Sequence, residues 1–402
     1  MPQELEGNLL LRWGRPEDAD ALAEFNIRLH SDHPPRLEQW LGDWTRDLIG
    51  GRHPTTSAAD FTVVEDLSTG ALVSSQVLIP QTWFYDGIPF GVGRPELIAT
   101  HEAYRLRGLV RKQMEVAHAL SAQKGHMVQA ITGIPWFYRR FGYEMALNLS
   151  GGRDFFWARS GNDKPLEKEP YEIRRATADD IPVLRDLYRV HCANSLIMCE
   201  RSEEMWRFGL EIANRSSIGA LHAYMISDDQ KRIVAYAGFD QHGTAFHLRE
   251  LGVVPGHSWR SVALFMTREL KRRAVELNEK REKPIGNISI PLADTHPVIT
   301  ALGGQLEKRR NPYAWYIRVP DLPGFLQHIS PVLERRMADS VMAGHTGTLR
   351  LNFYRDSLMM TFVDGEITGI DRYEPKNVED ADALFPDPTF LQLLFGYRSY
   401  EE

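Results

Sequence analysis

Apolar and polar residues switch between two periods along the chain, and the switches mark out strands and helices. Residues 9–13 (LLLRW) read as a strand, and GRPEDADALAEF as the helix after it, with Pro16 at its start and acids in its first turn. A second helix is predicted over residues 36–49 and strands over 61–65 and 71–81, with Asp86-Gly87 as a hairpin signal between β-rich runs. ELIAT (96–100) is the next strand. Val110, Met114, Ala117 and Leu120 then recur at helical spacing up to Gly125, and HMVQAIT returns to strand. Residues 134–143 read as a short aromatic helix, with Pro135 as its first residue and Gly142 as its stop.

Between the strand at 96–100 and the helix lies Arg105-Leu106-Arg107-Gly108-Leu109-Val110, which makes this turn a helix N-terminus. Such an end leaves about four backbone N–H groups unpartnered and carries the positive pole of the helix dipole. Gly108 removes the Cβ that would hold a ligand off the backbone, and Arg105, Arg107, Arg111 and Lys112 add positive charge. The ligand so predicted is a phosphate or pyrophosphate; a plain basic helix cap at the surface is the other reading. The turn has neither the Gly-Lys-Ser/Thr of a Walker loop nor the three glycines of a dinucleotide fingerprint.

The R-x-x-G-x-V turn, followed after a second strand by F-Y-R-R-F-G-Y, resembles the acetyl-CoA site of the GNAT acetyltransferases. The resemblance implies acetyl-CoA as co-substrate. Its pyrophosphate would lie on Arg105, Leu106, Arg107, Gly108, Leu109 and Val110, and its pantetheine arm would pair with the backbone of Ile98, Ala99 and Thr100. Val110 stands where the commonest form of the turn has its third glycine. Tyr138 matches the family's tyrosine that protonates the departing thiolate, since a phenol of pKa about 10 is a proton donor at neutral pH; packing beneath the coenzyme is the alternative. Asp32, Trp40, Asp43 and Trp44 lie in the helical region that would wall an amine site, although Trp40 and Trp44 are i,i+4 partners and suit packing first. Glu96 is a candidate base, beside a water chain. His101 and His118 read as ordinary surface residues.

The sequence then begins again. Leu11-Arg12-Trp13-Gly14-Arg15-Pro16-Glu17-Asp18 is echoed by residues 173–180, and a strand at 248–254 again leads through a turn into a long helix at 258–279. Aligning Glu96-Leu97 with Glu250-Leu251 puts Trp259 opposite Arg105 and Val262 opposite Gly108, and Ile299 falls where Tyr138 stands. The copy lacks both the turn and the acid, which suits a wall of the substrate cleft and not a second active site.

The fold class expected is α/β (α+β), as tandem GNAT folds followed by a small α+β domain. Residues 1–158 form the catalytic domain, 159–170 a polar linker, 171–319 the degenerate copy and 320–402 the last domain, which resembles a sterol-carrier-like domain. Two GNAT halves with such a domain resemble the Eis (enhanced intracellular survival) family, known for acetylating aminoglycoside amines. That implies an N-acetyltransferase acting on a small-molecule amine, assembled as a homo-oligomer. In that family the terminal carboxylate reaches the active site; this chain stops at Glu402 inside a helix-like segment, as a shortened end would, and Glu402 is not assigned that role.

Composition narrows the picture. With 402 residues, 43% hydrophobic and 25% charged, the chain can build sizeable cores. No run approaches the ~18 apolar residues of a membrane span and no basic leader precedes LLLRW, so a cytoplasmic protein with no membrane partner is expected. A net charge of −7 disfavours a nucleic-acid partner and favours cationic substrates. Cys192 and Cys199, in one predicted helix, match no metal spacing, so no metal is expected. The alternative to an enzyme is a non-catalytic acyl-CoA-sensing or ligand-binding protein.

Overall fold

The computed structural model describes residues 2–31, 37–159 and 166–399. The first elements are β1 (Gln3–Leu5), β2 (Leu9–Trp13), α1 (Ala19–His30), α2 (Gln39–Ile49), β3 (Phe61–Asp66), β4 (Ala71–Tyr85), β5 (Ile88–Thr100), α3 (Leu109–Gln123), β6 (Val128–Ile131) and β7 (Glu144–Leu149). There follow β8 (Arg153–Phe156), β9 (Tyr171–Arg175), α4 (Ile181–Cys192), β10 (Ile197–Cys199), α5 (Glu203–Arg207), β11 (Ala223–Asp228), β12 (Ile233–His242), β13 (Ala245–Val253), α6 (Trp259–Asn278), β14 (Asn287–Ile290) and α7 (Pro297–Leu302). The last are β15 (Tyr313–Arg318), α8 (Leu322–His328), α9 (Ser330–Ala338), β16 (Gly347–Asn352), β17 (Ser357–Val363), β18 (Glu366–Arg372), β19 (Ala383–Leu384) and α10 (Phe390–Leu394).

Two compact units result, one of Met1–Asn148, Leu196–Glu200 and Ala314–Glu402, the other of Leu149–Ser195 and Arg201–Tyr313. The first holds a sheet ordered β1-β2-β3-β4-β5-β6-β15-β7, with β10 alongside β4, and a smaller sheet β18-β17-β16-β19. The second holds β8-β14-β13-β12-β11-β9. The contiguous divisions at 158 and 319 differ from this arrangement. Strand β8 follows β7 in sequence but pairs with β14, and β15 lies between β6 and β7. Ladder pairing is backbone to backbone and leaves little mark on side-chain pattern, so pattern alone keeps each strand with its sequence neighbours.

In the first unit, α1 and α2 bury Leu22, Ile27, Leu41 and Leu48 against Val63, Val77 and Leu97 of the sheet. Helix α3 packs by Leu109, with Leu11, Val64 and Val73 in the same cluster. Its buried face is Leu109, Gln113, Met114, Ala117 and Ser121, whereas Val110 and Leu120 of the predicted stripe are half-buried. Gln113 escapes a hydrophobicity pattern because it is polar, yet it is fully buried. Its amide donates to Thr62 O (2.9 Å) and accepts from Ser74 Oγ (2.6 Å), so the desolvation of the amide is offset by hydrogen bonds.

Other expectations shift for local reasons. The stretch PGFLQHISPVLERRMADS forms two helices, α8 and α9, because Pro331 cannot continue a helical ladder. Pro135 does not open a helix. Residues 134–137 make a turn with Pro135 second, Trp136 at φ +65° and Phe137 N–H donating to Ile134 O (3.3 Å), and the 3-10 segment Phe137–Phe141 starts after it. The small sheet of the last segment has four strands. Cys199 lies in β10 and not in the helix of Cys192; among the described residues neither forms a disulfide.

The internal echo has a physical counterpart. Arg12 pairs with Asp18 (2.7 Å) and Arg174 with Asp180 (2.6 Å), and each aspartate also accepts the backbone N–H three residues before it, Arg15 and Thr177. The same ion pair ties β2 to the start of α1 in one unit and β9 to the start of α4 in the other.

Candidate active site

At the start of α3, Gly108 is left-handed (φ +76°), a conformation that costs an L-residue about 1–2 kcal/mol. A Cβ there would meet no protein atom within 4 Å, so a side chain would project into the open space before the helix. Leu106 is also at positive φ (+64°) with its side chain wholly exposed. Arg105 donates to Thr100 O (3.4 Å), and the Arg107 guanidinium lies over the Tyr104 ring (4.9 Å), whose hydroxyl is held by Asp66 (2.5 Å). The side chains of Arg105, Arg107, Arg111 and Lys112 are all exposed around this end.

Strand β5 supplies the adjoining edge. It pairs with β4 along its length but with the parallel strand β6 only at Val92–Val128 and Gly93–Gln129. From residue 94 to residue 100 the edge facing β6 has no strand partner among the described residues. The ladder to β4 shifts between Ser75 and Val77, which leaves Leu97 and Ile98 opposite Gln76, with Leu97 at φ +51°. A bulge turns a strand out of its ladder, and a non-glycine residue held at positive φ stores strain of the kind found at binding sites. Ile98, Ala99 and Thr100 sit on this edge, a few residues before the turn.

Tyr138 is 7% exposed. Its ring lies against the Gly133 backbone, where an added Cβ would come 2.8 Å from Cε2, and between Phe137 (5.0 Å) and Tyr316 (5.4 Å). Burial, and after it the charge of Glu96, pushes its phenol well above the usual range, so it stays protonated at neutral pH. Glu96 is itself buried; burial raises its carboxyl, and the Arg94 guanidinium at 2.5 Å pulls the other way without cancelling the rise. Arg94 also lies over Trp315 (4.6 Å), and its Nε is buried without a hydrogen-bond partner among the described residues.

Sequence reading missed Arg94, Trp315 and Tyr316. Arg94 had a signal, since residues two apart on a strand share a face with each other and so with Glu96. The two aromatics had none, because they arrive on β15. Trp40 and Trp44 stack on α2 (6.4 Å) and are packed, half-buried, against the cluster of Leu22, Ile27 and Leu97, as their spacing suggested. Asp32 and Glu402 lie outside the described residues. His118 is not an ordinary surface residue. Its Nε2 meets the Tyr143 hydroxyl (2.9 Å), and burial, then Arg318, pushes it down to about 4.

In the second unit the glutamate aligned with Glu96 has an internal partner. Arg201 donates to Glu250 (Nη1 to Oε2, 3.0 Å), Tyr236 donates to the same oxygen (3.0 Å), and the guanidinium lies over Tyr188 (4.5 Å) and Trp206 (4.8 Å). Burial raises the Glu250 carboxyl, but Arg201 outweighs it and holds it at about 2. Beside it, Val298 N–H donates to His296 Nδ1, and His296 Nε2 meets His191 Nδ1 (3.0 Å), an arrangement that suits two neutral rings. Burial, then the neighbouring His191, pushes His296 down to about 3, and burial lowers His191 as well.

Both histidines therefore titrate lower when folded than the ~6.5 of an unfolded histidine, so the unfolded state binds more protons below that pH. Through His296, stability should fall as pH drops from about 6.5 toward about 3, by up to about 1.4 kcal/mol per pH unit, and His191 adds a change of the same sign. Urea midpoints of the wild type and of His296→Leu, taken at about pH 7 and about pH 5, test this; the variant should show the smaller drop.

Among the described residues no group of three or more His, Cys, Asp or Glu could hold a metal ion, and no helix is long and apolar enough to cross a membrane. Residues 42–146 match the family described as acetyltransferase (GNAT) domain. No curated protein sequence matches the chain. A conserved Enterococcus faecalis protein of unknown function, named as a probable N-acyltransferase, superposes with a TM-score of 0.66 at 14% identity, over 97% of this chain and 90% of that one. A GCN5-related N-acetyltransferase from Kribbella flavida gives 0.64 at 16% (96% and 88%), and Eis1 from Mycobacterium abscessus 0.59 at 11% (98% and 91%). The chain therefore carries a GNAT acetyltransferase domain, with the acyl-transfer function that domain implies, in a mixed α/β fold it shares along nearly its whole length with GNAT structures.

Proposed function

We propose that the chain is an acetyl-CoA-dependent N-acetyltransferase that moves the acetyl group directly to an amine of a cationic small molecule, with aminoglycosides as one class of acceptor. The observation that carries this reading is the unpaired edge of β5 at residues 94–100, ending in a left-handed glycine at a helix start. Such an edge offers N–H and C=O groups to the amides of a pantetheine arm, as in strand addition, and the amides of residues 106–110 converge on a pyrophosphate.

In the reaction, Glu96 takes the proton from the attacking ammonium, directly or through water, and the free amine attacks the thioester carbonyl. The C–S bond then breaks, Tyr138 gives its proton to the departing thiolate, and the second proton of the attacking nitrogen returns through water to the Tyr138 oxygen, which leaves a neutral amide and the first proton on Glu96. A thiol in apolar surroundings is itself raised in pKa, so the same burial that raises Tyr138 keeps donor and acceptor matched. Arg94 keeps the Glu96 carboxyl from rising further. The net charge of −7 draws cationic acceptors. The second unit, whose helix α6 is capped by Ser258 and not by a left-handed glycine, is read as a degenerate copy without a site of its own, and the working form as a cytoplasmic homo-oligomer.

Thiol release from acetyl-CoA over a panel of cationic amines, together with coenzyme titration, tests the reading. Gly108→Val is expected to weaken coenzyme binding at least about tenfold, because its side chain would project into the open space in which a pyrophosphate would approach the backbone. Unchanged affinity in this variant would remove the turn from the site.

A further inference from the structure

Arg94 stands beside the candidate base with a hydrogen-bond donor to spare. In the β4–β5 ladder it faces Ile79, and Glu96 faces Val77, so both side chains leave the sheet on the side that α1 and α2 cover. Nη2 of Arg94 donates to Glu96 Oε1 (2.5 Å), whereas Nε is buried and donates to nothing among the described residues. An unpaired N–H on a buried charged group is costly, and the cost is removed when an oxygen accepts from it. The guanidinium is also held in place. Trp315 lies 4.6 Å from it, and Trp83 meets Trp315 edge-on at 6.0 Å.

The planar fork fixes what the spare donor can read. Nε and Nη2 lie along one edge of a guanidinium, and Nη2 already holds the carboxylate. An oxygen that accepts from Nε therefore lies next to Glu96, the group that takes the proton of the attacking amine in the proposed reaction. One small molecule can supply both groups when amine and oxygen sit on neighbouring carbons. The Arg94 side chain keeps 18% of its surface open and that of Glu96 11%, so the pair is not sealed off. We propose that Arg94 selects acceptors with an oxygen on the carbon next to the amine-bearing one, as in vicinal amino alcohols and α-amino carbonyl compounds. The inference rests on the acetyltransferase reading and narrows its substrate class.

The test measures kcat/KM by thiol release from acetyl-CoA for two pairs of amines. The first is trans-2-aminocyclohexanol against cyclohexylamine, for a hydroxyl; the second is glycinamide against isobutylamine, for a carbonyl. Each protein is read by the ratio within a pair. The basicity of an amine is the same for wild type and variant, and a general loss of rate cancels, so only a contact with the oxygen changes the ratio. The ratio for at least one pair should fall at least about tenfold in Arg94→Lys, which keeps a positive charge near Glu96 without the fork, and in Arg94→Met, which keeps neither. The pair that shows the fall identifies hydroxyl or carbonyl as the group recognised. If one variant does not fold, the other decides. Unchanged ratios for both pairs in the folded variants would overturn this proposal alone. A wild type that binds acetyl-CoA and acetylates none of the amines would overturn the acetyltransferase reading, and this inference with it.

Discussion

Tyr138→Phe lowers turnover of acetyl-CoA by about 10²–10⁴-fold, the usual contribution of a positioned general acid, and leaves coenzyme affinity unchanged. The two outcomes separate because the substitution removes one oxygen and keeps the ring. The edge-on contacts with Phe137, Tyr143 and Tyr316 persist, and so does the stacking on Gly133. What is lost is a proton that the buried phenol retains at neutral pH. The pH profile carries the same information. Because the phenol is raised well above its ordinary range, the wild type should show no loss of activity from its ionisation near pH 10. Steady-state kinetics with a thiol-trapping reagent and direct coenzyme titration provide the check; full turnover in the phenylalanine variant would end the assignment.

Arg201→Met destabilises the protein by about 1–3 kcal/mol, the cost of leaving a largely enclosed carboxylate without its ionic partner. The guanidinium is enclosed by Glu250 and by the rings of Tyr188 and Trp206, and its removal leaves the Glu250 carboxylate buried with only the Tyr236 hydroxyl of these partners. Glu250 should then titrate upward, because burial, the largest influence on it, loses its strongest opponent and is countered by Tyr236 and His191. The double variant Arg201→Met with Glu250→Gln should recover most of the loss, since no uncompensated charge remains. Denaturant midpoints of the three variants measure both effects, and a single variant that unfolds like the wild type would show that the pair is not buried in solution.

Legibility of the site in the sequence follows from how local each feature is. The turn at 105–110 was readable because a left-handed helix cap calls for glycine, and the spacing of Arg105, Gly108 and Tyr138 lies within one strand-helix-strand unit. The echo of residues 11–18 at 173–180 was readable for the same reason, since each Arg–Asp pair closes within one loop. The bulge at Leu97 was not, because its positive φ is imposed on a leucine by the packing of β4 and α2 and no glycine advertises it. Gln113 was hidden because its partners Ser74 and Thr62 are far away in sequence. Trp315 and Tyr316 were hidden because their strand joins a sheet begun some three hundred residues earlier.

That exchanged strand also sets the order in which the molecule can be assembled. A ribosome delivers the chain from its amino end, and until β15 has emerged, β6 and β7 face a gap one strand wide. The nascent first half therefore waits with two open ladders through the synthesis of the whole second unit, a state in which unpaired edges invite foreign strands. Conversely, the second unit draws its edge strand β8 from residues made before it, so its sheet can close as soon as β14 appears. The half that carries Tyr138 begins first and is finished last.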